Sequence, residues 1–370
     1  MPRTIQAAVC AGGGAHPIIE TLLLDDPAPD EVVIRVEAAG VCHTDLGISQ
    51  WSDSPRVFGH EGAGVVVQTG SAVTRFEKGD RVVATFGSCG SCPNCNGGRP
   101  AYCFDGIALN IEGKRSAERP SLTREDGTAV GGAFFQQSCF ATYAIATERN
   151  LIRIPDGLEM ELAAPLGCGI QTGAGAVFNQ IGAKAERPLL VVGAGAVGLA
   201  AIMAGKIVGC DPIIAVELNS ERRNLALELG ATRAIDGTDG DWVEQVKSLT
   251  GGGVTAALDT AGSQSTFEGS LAALHSGGTL GVLTLPGEFG APIQHPGGLD
   301  FMTKSIVGII EGDAVPANFL PLLISYLSGG DLPVDRLIKT YPFENIAEAF
   351  ADAASGKVIK PVLTFEVPKK

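Results

Sequence analysis

A short apolar run that leads directly into three closely spaced glycines constrains the fold of this chain more than any other feature. Leu189–Val192 is followed by Gly193, Gly195 and Gly198, which fit the pattern G-x-G-x-x-G. This spacing predicts a strand, a tight turn and a helix whose first N–H groups face a pyrophosphate. From about residue 170 to 310, short apolar runs alternate with helical stretches. The pattern predicts a parallel sheet covered by helices on both faces, as in dinucleotide-binding folds.

A carboxylate follows these glycines at the distance typical of ribose recognition. Glu217 lies 19 residues after Gly198 and ends the next apolar run. A carboxylate there accepts hydrogen bonds from both ribose hydroxyls and repels a 2′-phosphate, which favours NAD over NADP. Arg222 is close enough in sequence to keep NADP as an alternative. A glycine-rich turn that binds no nucleotide is the other alternative.

Charge and hydropathy exclude two classes of partner. The chain has 27 Lys and Arg against 41 Asp and Glu, a net charge of −14, and such a surface repels nucleic acid. Residues 188–205 carry no charge, but four glycines and an opening proline favour a strand that turns into a helix over a membrane span. The N-terminus lacks the apolar core of a secretory signal. We therefore expect a soluble, cytoplasmic protein without nucleic-acid or membrane partners.

Four cysteines are concentrated in a loop rich in glycine and proline. Cys89, Cys92, Cys95 and Cys103 lie within 15 residues. Four thiolates at this spacing bind zinc tetrahedrally and leave no coordination position open, which predicts a structural site. A redox relay and an iron–sulfur cluster are the alternatives that the same ligands allow.

Three further segments place metal-ligating side chains among glycines. Cys42, His60 and Cys168 would form a site with two sulfurs, one nitrogen and an open fourth position, as a catalytic zinc requires. No spacing rule connects residues so far apart. Small core cysteines and an ordinary buried histidine are the alternative interpretation.

The order of these motifs resembles that of the zinc-dependent medium-chain alcohol dehydrogenases, over essentially the whole chain. The motifs are Cys42-His43-Thr44-Asp45, Gly59-His60-Glu61, the four-cysteine loop, Gly167-Cys168-Gly169 and Gly193 to Gly198. The sequences of residues 58–64, 140–144 and 166–175 are similar to those of bacterial benzyl- and aryl-alcohol dehydrogenases.

The resemblance implies an α/β fold with two domains and an active site in the cleft between them. Residues 1–169 and 311–370 would form a GroES-like, β-rich catalytic domain, and residues 170–310 a Rossmann NAD-binding domain. The implied reaction is oxidation of a primary aromatic or allylic alcohol to its aldehyde with hydride transfer to NAD. The resemblance also implies two zinc ions per chain, one catalytic and one structural, and a homodimer or homotetramer joined at the Rossmann sheet edge.

Site residues are carried over position by position. The resemblance assigns the catalytic zinc to Cys42, His60 and Cys168 and the structural zinc to Cys89, Cys92, Cys95 and Cys103. It makes Asp45 the carboxylate that orients the zinc histidine, Glu61 an alternative ligand, and Thr44 the hydroxyl that receives the alcohol proton. His43 and Lys360 would contact the pyrophosphate, Glu217 and Arg222 the adenosine ribose, and Thr172 the nicotinamide. Relatives carry a proton-relaying histidine three residues after the hydroxyl, where this chain has Gly47, so His43 or ordered water would take that role.

Three other functions fit parts of the pattern. A thiol-dependent formaldehyde dehydrogenase of the same family would need a cationic pocket, for which Arg115 or Arg119 is available. A zinc-free quinone reductase would lack both metal sites. A non-catalytic NAD- and zinc-binding protein on the same fold would bind the cofactor without turning it over.

Overall fold

The structure, a computed structural model, describes residues 2–14, 16–117, 119–284 and 302–366. It divides into two compact units. The first runs to Cys168 and includes Val315–Ser325 and the residues from Val334 onward, and the second comprises Gly169–Ala314 and Tyr326–Pro333. The predicted boundaries differ from this division at residue 169 and at residues 311–314 and 326–333. The Tyr326 ring stacks on Phe178 of the second unit, with centroids 5.9 Å apart, which accounts for the return of the chain to that unit.

The first unit is built from two antiparallel-rich sheets. Its strands are β1 Arg3–Cys10, β2 Ile18–Leu24, β3 Glu31–Gly40, β4 Arg56–Val57, β5 Glu61–Thr69, β6 Arg81–Ala84, β7 Leu122–Thr123, β8 Ala129–Val130, β9 Tyr143–Thr147, β10 Leu151–Arg153, β17 Ile338–Pro342 and β18 Lys360–Thr364. One sheet has the order β4-β1-β2-β7-β8, and the other has the order β10-β6-β5-β3-β18-β17 with β9 also paired to β3. Its helices are α1 His43–Trp51, α2 Pro93–Asn96, α3 Gly106–Asn110, α4 Met160–Ala163 and α11 Ile346–Ala354.

Three neighbouring strands of the larger sheet position the ends that carry the candidate site. The branched side chains of β3 are buried on both faces, which fixes this strand at the centre of the core. Antiparallel pairing sets Gly40, at the end of β3, opposite Glu61 at the start of β5. On the other side of β3, Val362 of β18 pairs with Gly40. Residues from three distant parts of the chain therefore meet at one sheet end.

The second unit contains a six-stranded parallel sheet. Its strands are β11 Leu189–Val192, β12 Ile213–Glu217, β13 Arg233–Asp236, β14 Val254–Asp259, β15 Leu274–Val282 and β16 Ser305–Gly308, in the order β13-β12-β11-β14-β15-β16. This is the strand order of doubly wound dinucleotide-binding folds, in which the sequence order of the strands reverses between β11 and β14. The sequence prediction of an α/β fold with a β-rich domain and a Rossmann domain is confirmed.

Helices precede, connect and follow these parallel strands. They are α5 Gly169–Gly175 with a π-helical turn over Ala176–Gln180, α6 Ala196–Val208, α7 Ser220–Leu229, α8 Trp242–Thr250 and α9 Gln264–Ala273, and α10 Pro316–Gly329 is divided between the two units. The predicted helical stretches 218–229 and 241–249 correspond to α7 and α8. Within the described part of the chain, no helix is both long enough and apolar enough to cross a bilayer.

Candidate active site and metal centres

The dispersed metal-ligating residues of the sequence come together in the first unit. Cys42 precedes α1, His60 and Glu61 begin β5, and Cys168 lies between the turn Ala164–Gly167 and α5. One ligand atom from each of these four residues lies within 4.8 Å of every other. The grouping places two sulfurs, one nitrogen and one carboxylate around one point, which is a set that zinc accepts.

His60 is held by a buried carboxylate at one ring nitrogen, and two cysteines lie near it. Its Nδ1 lies 2.8 Å from Asp45 Oδ1, and both side chains are fully buried. Among the described residues, His60 Nε2 has no hydrogen-bond partner although it is buried. An orphaned ring nitrogen beside two cysteines is what a metal ligand needs, because the second nitrogen is fixed by a carboxylate. The residues therefore fit a zinc ion.

Asp45 also fixes the backbone around the ligands. Its Oδ1 accepts a hydrogen bond from Gly59 N at 3.0 Å, and its Oδ2 accepts one from Cys42 N at 3.0 Å. One carboxylate thus connects two of the three segments that supply ligands, those of Cys42 and His60. It also raises the pKa of His60 against the opposing effect of burial.

The surroundings of Cys42 favour ionisation of its thiol. A hydrogen bond with Cys168 and the positive charge of Lys360 hold the pKa of Cys42 well below its usual value, although burial opposes this. The thiolate is the form that coordinates metals. The site thus favours the ligating state of this sulfur.

Glu61 and Lys360 form a buried ion pair beside these ligands. Lys360 Nζ donates to both Glu61 oxygens at 2.8 Å and to Val41 O at 3.2 Å. Burial raises the pKa of Glu61, and Glu61 raises that of Lys360 against the effect of burial. An ammonium group has three hydrogens, and these three acceptors use them. In the structure Lys360, at the start of β18, therefore neutralises Glu61, and the pyrophosphate contact that the resemblance implies stays a prediction.

The first turn of α1 carries the residues expected to handle the proton. Thr44 Oγ1 lies 3.8 Å from Cys42 Sγ, so its hydroxyl is at the metal site. His43 is exposed at the start of the same helix. A side chain added at Gly47 would meet no atom within 4 Å at its Cβ, so the position is open space.

The four clustered cysteines form a second potential metal site. The Sγ atoms of Cys89, Cys92, Cys95 and Cys103 all lie within 4.8 Å of one another. Backbone N–H groups of Cys92 and Cys95 donate to Cys89 Sγ and Cys92 Sγ at 3.3 and 3.5 Å. N–H groups of Phe104 and Cys95 lower the pKa of Cys92 to about 6, whereas burial raises that of Cys103 to about 12. The arrangement is compatible with a structural zinc.

The predicted dinucleotide loop has the backbone that its glycines require. Gly193 adopts a φ of +93°, and a Cβ at Gly198 would lie 1.9 Å from Gly193 O. A Cβ at Gly195 would have no neighbour within 4 Å. The first glycine thus permits the turn, the third permits close packing of α6 on β11, and the second leaves room for a ligand next to the backbone.

Glu217 ends β12 next to this loop. Its Oε2 accepts a hydrogen bond from Ala194 N at 2.6 Å, and its Oε1 accepts one from Asn219 N at 2.8 Å. Arg222 lies in the first turn of α7. The neighbouring Arg223 donates to Glu217 O and Leu218 O at 2.8 and 2.7 Å and pairs with Asp236. The guanidinium of Arg223 is therefore paired with groups of the protein itself.

Thr172 lies on α5 in the second unit and is buried. A Cβ at the adjacent Gly173 would lie 2.0 Å from Val197 O, so α5 and α6 pack with backbones in close approach. This packing sets Thr172 on the helix next to the one that begins at the dinucleotide loop. Its predicted place beside a nicotinamide stays a prediction.

Neither arginine proposed for a thiol-bearing substrate is free. Arg115 donates to both oxygens of Glu31 at 2.9 and 2.6 Å, and only 4% of its side chain is exposed. Arg119 is bonded to Asp25. A half-open cavity of about 470 Å³ does have Arg115 in its wall, but its lining includes Cys89 of the four-cysteine loop and none of the four residues of the other metal site. The geometry therefore gives no support to a cationic pocket at the dispersed ligands.

The sequence analysis missed buried residues that contact His60, among them Phe135 and Gln137. Phe135 stacks on the His60 ring with centroids 4.5 Å apart, and Gln137 donates to His60 O at 2.9 Å. No spacing rule points to either residue. The one local signal is a pair of glutamines, Gln136 and Gln137, set between phenylalanines where burial would favour apolar side chains.

Comparison with known proteins agrees with this geometry. Residues 28–156 match a family model described as alcohol dehydrogenase GroES-like domain, and residues 196–325 match one described as zinc-binding dehydrogenase. The chain is 42% identical to the geraniol dehydrogenase of Castellaniella defragrans over 365 residues, or 97% of each chain.

Two crystal structures are similar over nearly the whole chain. That of an alcohol dehydrogenase zinc-binding domain protein from Burkholderia ambifaria has 42% identity and a TM-score of 0.95, covering 99% of this chain and all of the other. That of the benzyl alcohol dehydrogenase of Acinetobacter calcoaceticus has 38% identity and a TM-score of 0.94, covering 98% of this chain and all of the other. Both metal-ligand groups and the dinucleotide loop lie within the matched lengths.

Proposed function

Since the chain belongs to the zinc-dependent alcohol dehydrogenase family, we propose that it oxidises a primary allylic or aromatic alcohol to its aldehyde and transfers the hydride to NAD. The observation that carries the proposal is the buried group of Cys42, His60 and Cys168, whose ring nitrogen has no partner among the described residues. Three ligands leave a fourth position for a substrate oxygen, which distinguishes this group from the closed four-cysteine site.

The substrate class is supported by two relatives, and His60 itself lies in apolar surroundings. Two relatives are named as dehydrogenases of geraniol and of benzyl alcohol. Both alcohols carry a hydroxymethyl group on an unsaturated carbon. Phe135 packs flat on the His60 ring, and Phe134 meets the same ring edge-on at 5.6 Å. Both rings are buried, so they surround His60 with apolar side chains.

Each group at the site has its own expected role in the reaction. When bound, zinc supplies Lewis acidity toward an alcohol oxygen, and NAD supplies the hydride acceptor. Thr44 is placed to accept the alcohol proton because its hydroxyl lies 3.8 Å from a ligand sulfur. Asp45 keeps the His60 ring oriented, and Glu61 stays paired with Lys360. Because Gly47 carries no side chain to relay the proton, the exposed His43 or water would take it to solvent.

Preference for NAD rests on Glu217. One of its oxygens accepts the Ala194 N–H of the dinucleotide loop and the other accepts the Asn219 N–H before α7, so a negative charge is fixed next to the loop, where it would repel a 2′-phosphate. Arg223, bonded to two carbonyls and Asp236, offers no free guanidinium to such a phosphate. Arg222 is the remaining cation close in sequence.

Initial rates of cofactor reduction test the proposal. The panel comprises benzyl alcohol, geraniol, ethanol, and formaldehyde with and without glutathione, each with NAD and with NADP. We expect kcat/KM to be highest for the first two alcohols with NAD. Activity confined to formaldehyde with thiol would refute the substrate class. The Cys168→Ser variant should bind NADH as the parent protein does, measured by NADH fluorescence, but should not oxidise alcohols. Alcohol oxidation by this variant would refute the metal site.

Two further expectations accompany the proposal. The predicted homodimer or homotetramer stays a prediction that light scattering after size-exclusion chromatography checks. The expected cytoplasmic location also stays a prediction, which fractionation of the source cells checks.

A further inference from the structure

A strained turn lies directly behind the metal-ligating histidine. Ala133, Phe135, Gln136 and Ser138 all have positive φ angles, between 47° and 61°. Residues with a Cβ seldom adopt this region, so four of them in six positions must be held by tertiary contacts. Ser138 supplies one such contact, because its hydroxyl accepts from Phe134 N and donates to Val57 O, both at 2.8 Å.

Gln137 lies within this turn, and its side chain forms hydrogen bonds with the backbone of His60 and of Gly62, on either side of Glu61. Its Oε1 accepts a hydrogen bond from Gly62 N at 3.1 Å. Its Nε2 donates to His60 O at 2.9 Å and to Thr85 O at 3.2 Å. The side chain is 1% exposed, so water does not compete for these bonds.

The hydrogen-bond network continues from Gln137 to the segment that carries Cys168. Thr85 Oγ1 donates to Gly167 O at 2.7 Å, and Gly167 immediately precedes Cys168. Asn150 Nδ2 also donates to Thr85 O, at 3.0 Å. A continuous buried chain of bonds therefore joins the backbone of His60 to the residue before Cys168.

We propose that Gln137 is a positioning residue for the metal site, and that its amide fixes the His60 backbone relative to the Cys168 loop. The role needs one acceptor and two donors on the same side chain, which an amide has and a carboxylate or an apolar group lacks. Asp45 fixes the ring of His60, and Gln137 fixes the peptide that carries it. The inference rests on the metal site of the proposed function.

The test compares Gln137→Met and Gln137→Glu with the control Gln136→Met. Methionine keeps the length of glutamine and removes all three bonds, whereas glutamate keeps only the acceptor. Gln136 belongs to the same strained turn, but its Nε2 donates to Leu109 O and Lys114 O, both at 2.8 Å. The control therefore disturbs the same turn without removing a hydrogen bond to the segments that carry Cys42, His60 and Cys168.

The measurement is metal binding by the purified protein without substrate or cofactor. Chelator competition follows loss of the catalytic zinc, with the four-cysteine zinc as internal reference, and the visible spectrum of the cobalt-substituted site reports ligand geometry. We expect both Gln137 variants to bind the catalytic metal about 10–100-fold more weakly with a shifted cobalt spectrum. Gln136→Met should match the parent protein.

Two results would overturn the proposal. One is an unchanged metal affinity and cobalt spectrum in Gln137→Met, or in Gln137→Glu should the first variant not fold. The other is an equal loss in Gln136→Met, which would assign the effect to the turn as a whole. Because neither alcohol nor NAD is present, failure of the parent protein to oxidise alcohols leaves this outcome readable on its own.

Discussion

The Lys360–Glu61 pair gives two opposed expectations for the variant Lys360→Met. The pair is buried, with 3% and 0% of the two side chains exposed, and the ammonium group lies 2.8 Å from both carboxylate oxygens. If Lys360 instead contacted the cofactor pyrophosphate, as the resemblance implies, its removal would weaken NAD binding and leave stability unchanged. The structure favours a loss of stability.

The size of that loss follows from leaving one buried charge alone. Removing one partner of a buried ion pair costs about 3–5 kcal/mol. Burial already raises the pKa of Glu61, so protonation limits its penalty and the lower end, about 3 kcal/mol, is expected. The first unit has about 200 residues, for which this corresponds to roughly 6–12 °C in Tm.

Differential scanning calorimetry at one scan rate, on zinc-loaded protein, measures this shift. The matched control is the double variant Lys360→Met with Glu61→Gln, which leaves no unpaired charge and should recover most of the lost Tm. Initial rates give the KM for NAD in parallel. A Tm equal to that of the parent protein, together with a tenfold or greater rise in the KM for NAD, would refute the reasoning and restore the pyrophosphate contact.

Three other outcomes are expected. Thr44→Ala should lower kcat by about 10²-fold or more, while Thr44→Ser retains most of it, and an unchanged kcat and pH profile in the alanine variant would exclude Thr44 as proton acceptor. Glu217→Ala should raise kcat/KM with NADP relative to NAD by roughly tenfold or more, since charge-assisted hydrogen bonds contribute about 1.5–3 kcal/mol, and an unchanged ratio would contradict the assignment. Tyr341, Lys357 and Lys339 lower the pKa of Asp352 to about 2, so its ionised form stabilises the fold above the unfolded pKa of about 3.9 and the benefit is lost as pH falls toward 2. Asp352→Asn should therefore lower Tm at neutral pH by an amount that shrinks below about pH 4, and a difference independent of pH would contradict this.

Sequence patterns were sufficient where the functional atoms lie within one short segment. Gly193, Gly195 and Gly198 fix their own turn, and the structure shows the positive φ and close packing that their spacing predicts. The four clustered cysteines likewise need only local loop geometry to meet. In both cases the physical constraint is steric and acts over a few residues.

The dispersed site needed the resemblance as well as the residues. Cys42, His60 and Cys168 span 126 positions, and only the pairing of β3 with β5 and the return of the chain before α5 bring their ligand atoms within 4.8 Å. Residue types alone left buried core cysteines as an alternative interpretation. The orphaned Nε2 of His60, a property of the folded chain, distinguishes the two.

By itself, then, the sequence determined the two-domain architecture, the dinucleotide loop and the four-cysteine loop, because each is specified by the periodicity or spacing of neighbouring residues. Tertiary structure alone decided that Lys360 neutralises Glu61, that Arg115 is committed to Glu31, and that Gln137 supports His60. Those contacts join residues 77 to 299 positions apart. Their formation depends on strand register and on which side chains burial forces to find a partner, and neither is written in local spacing.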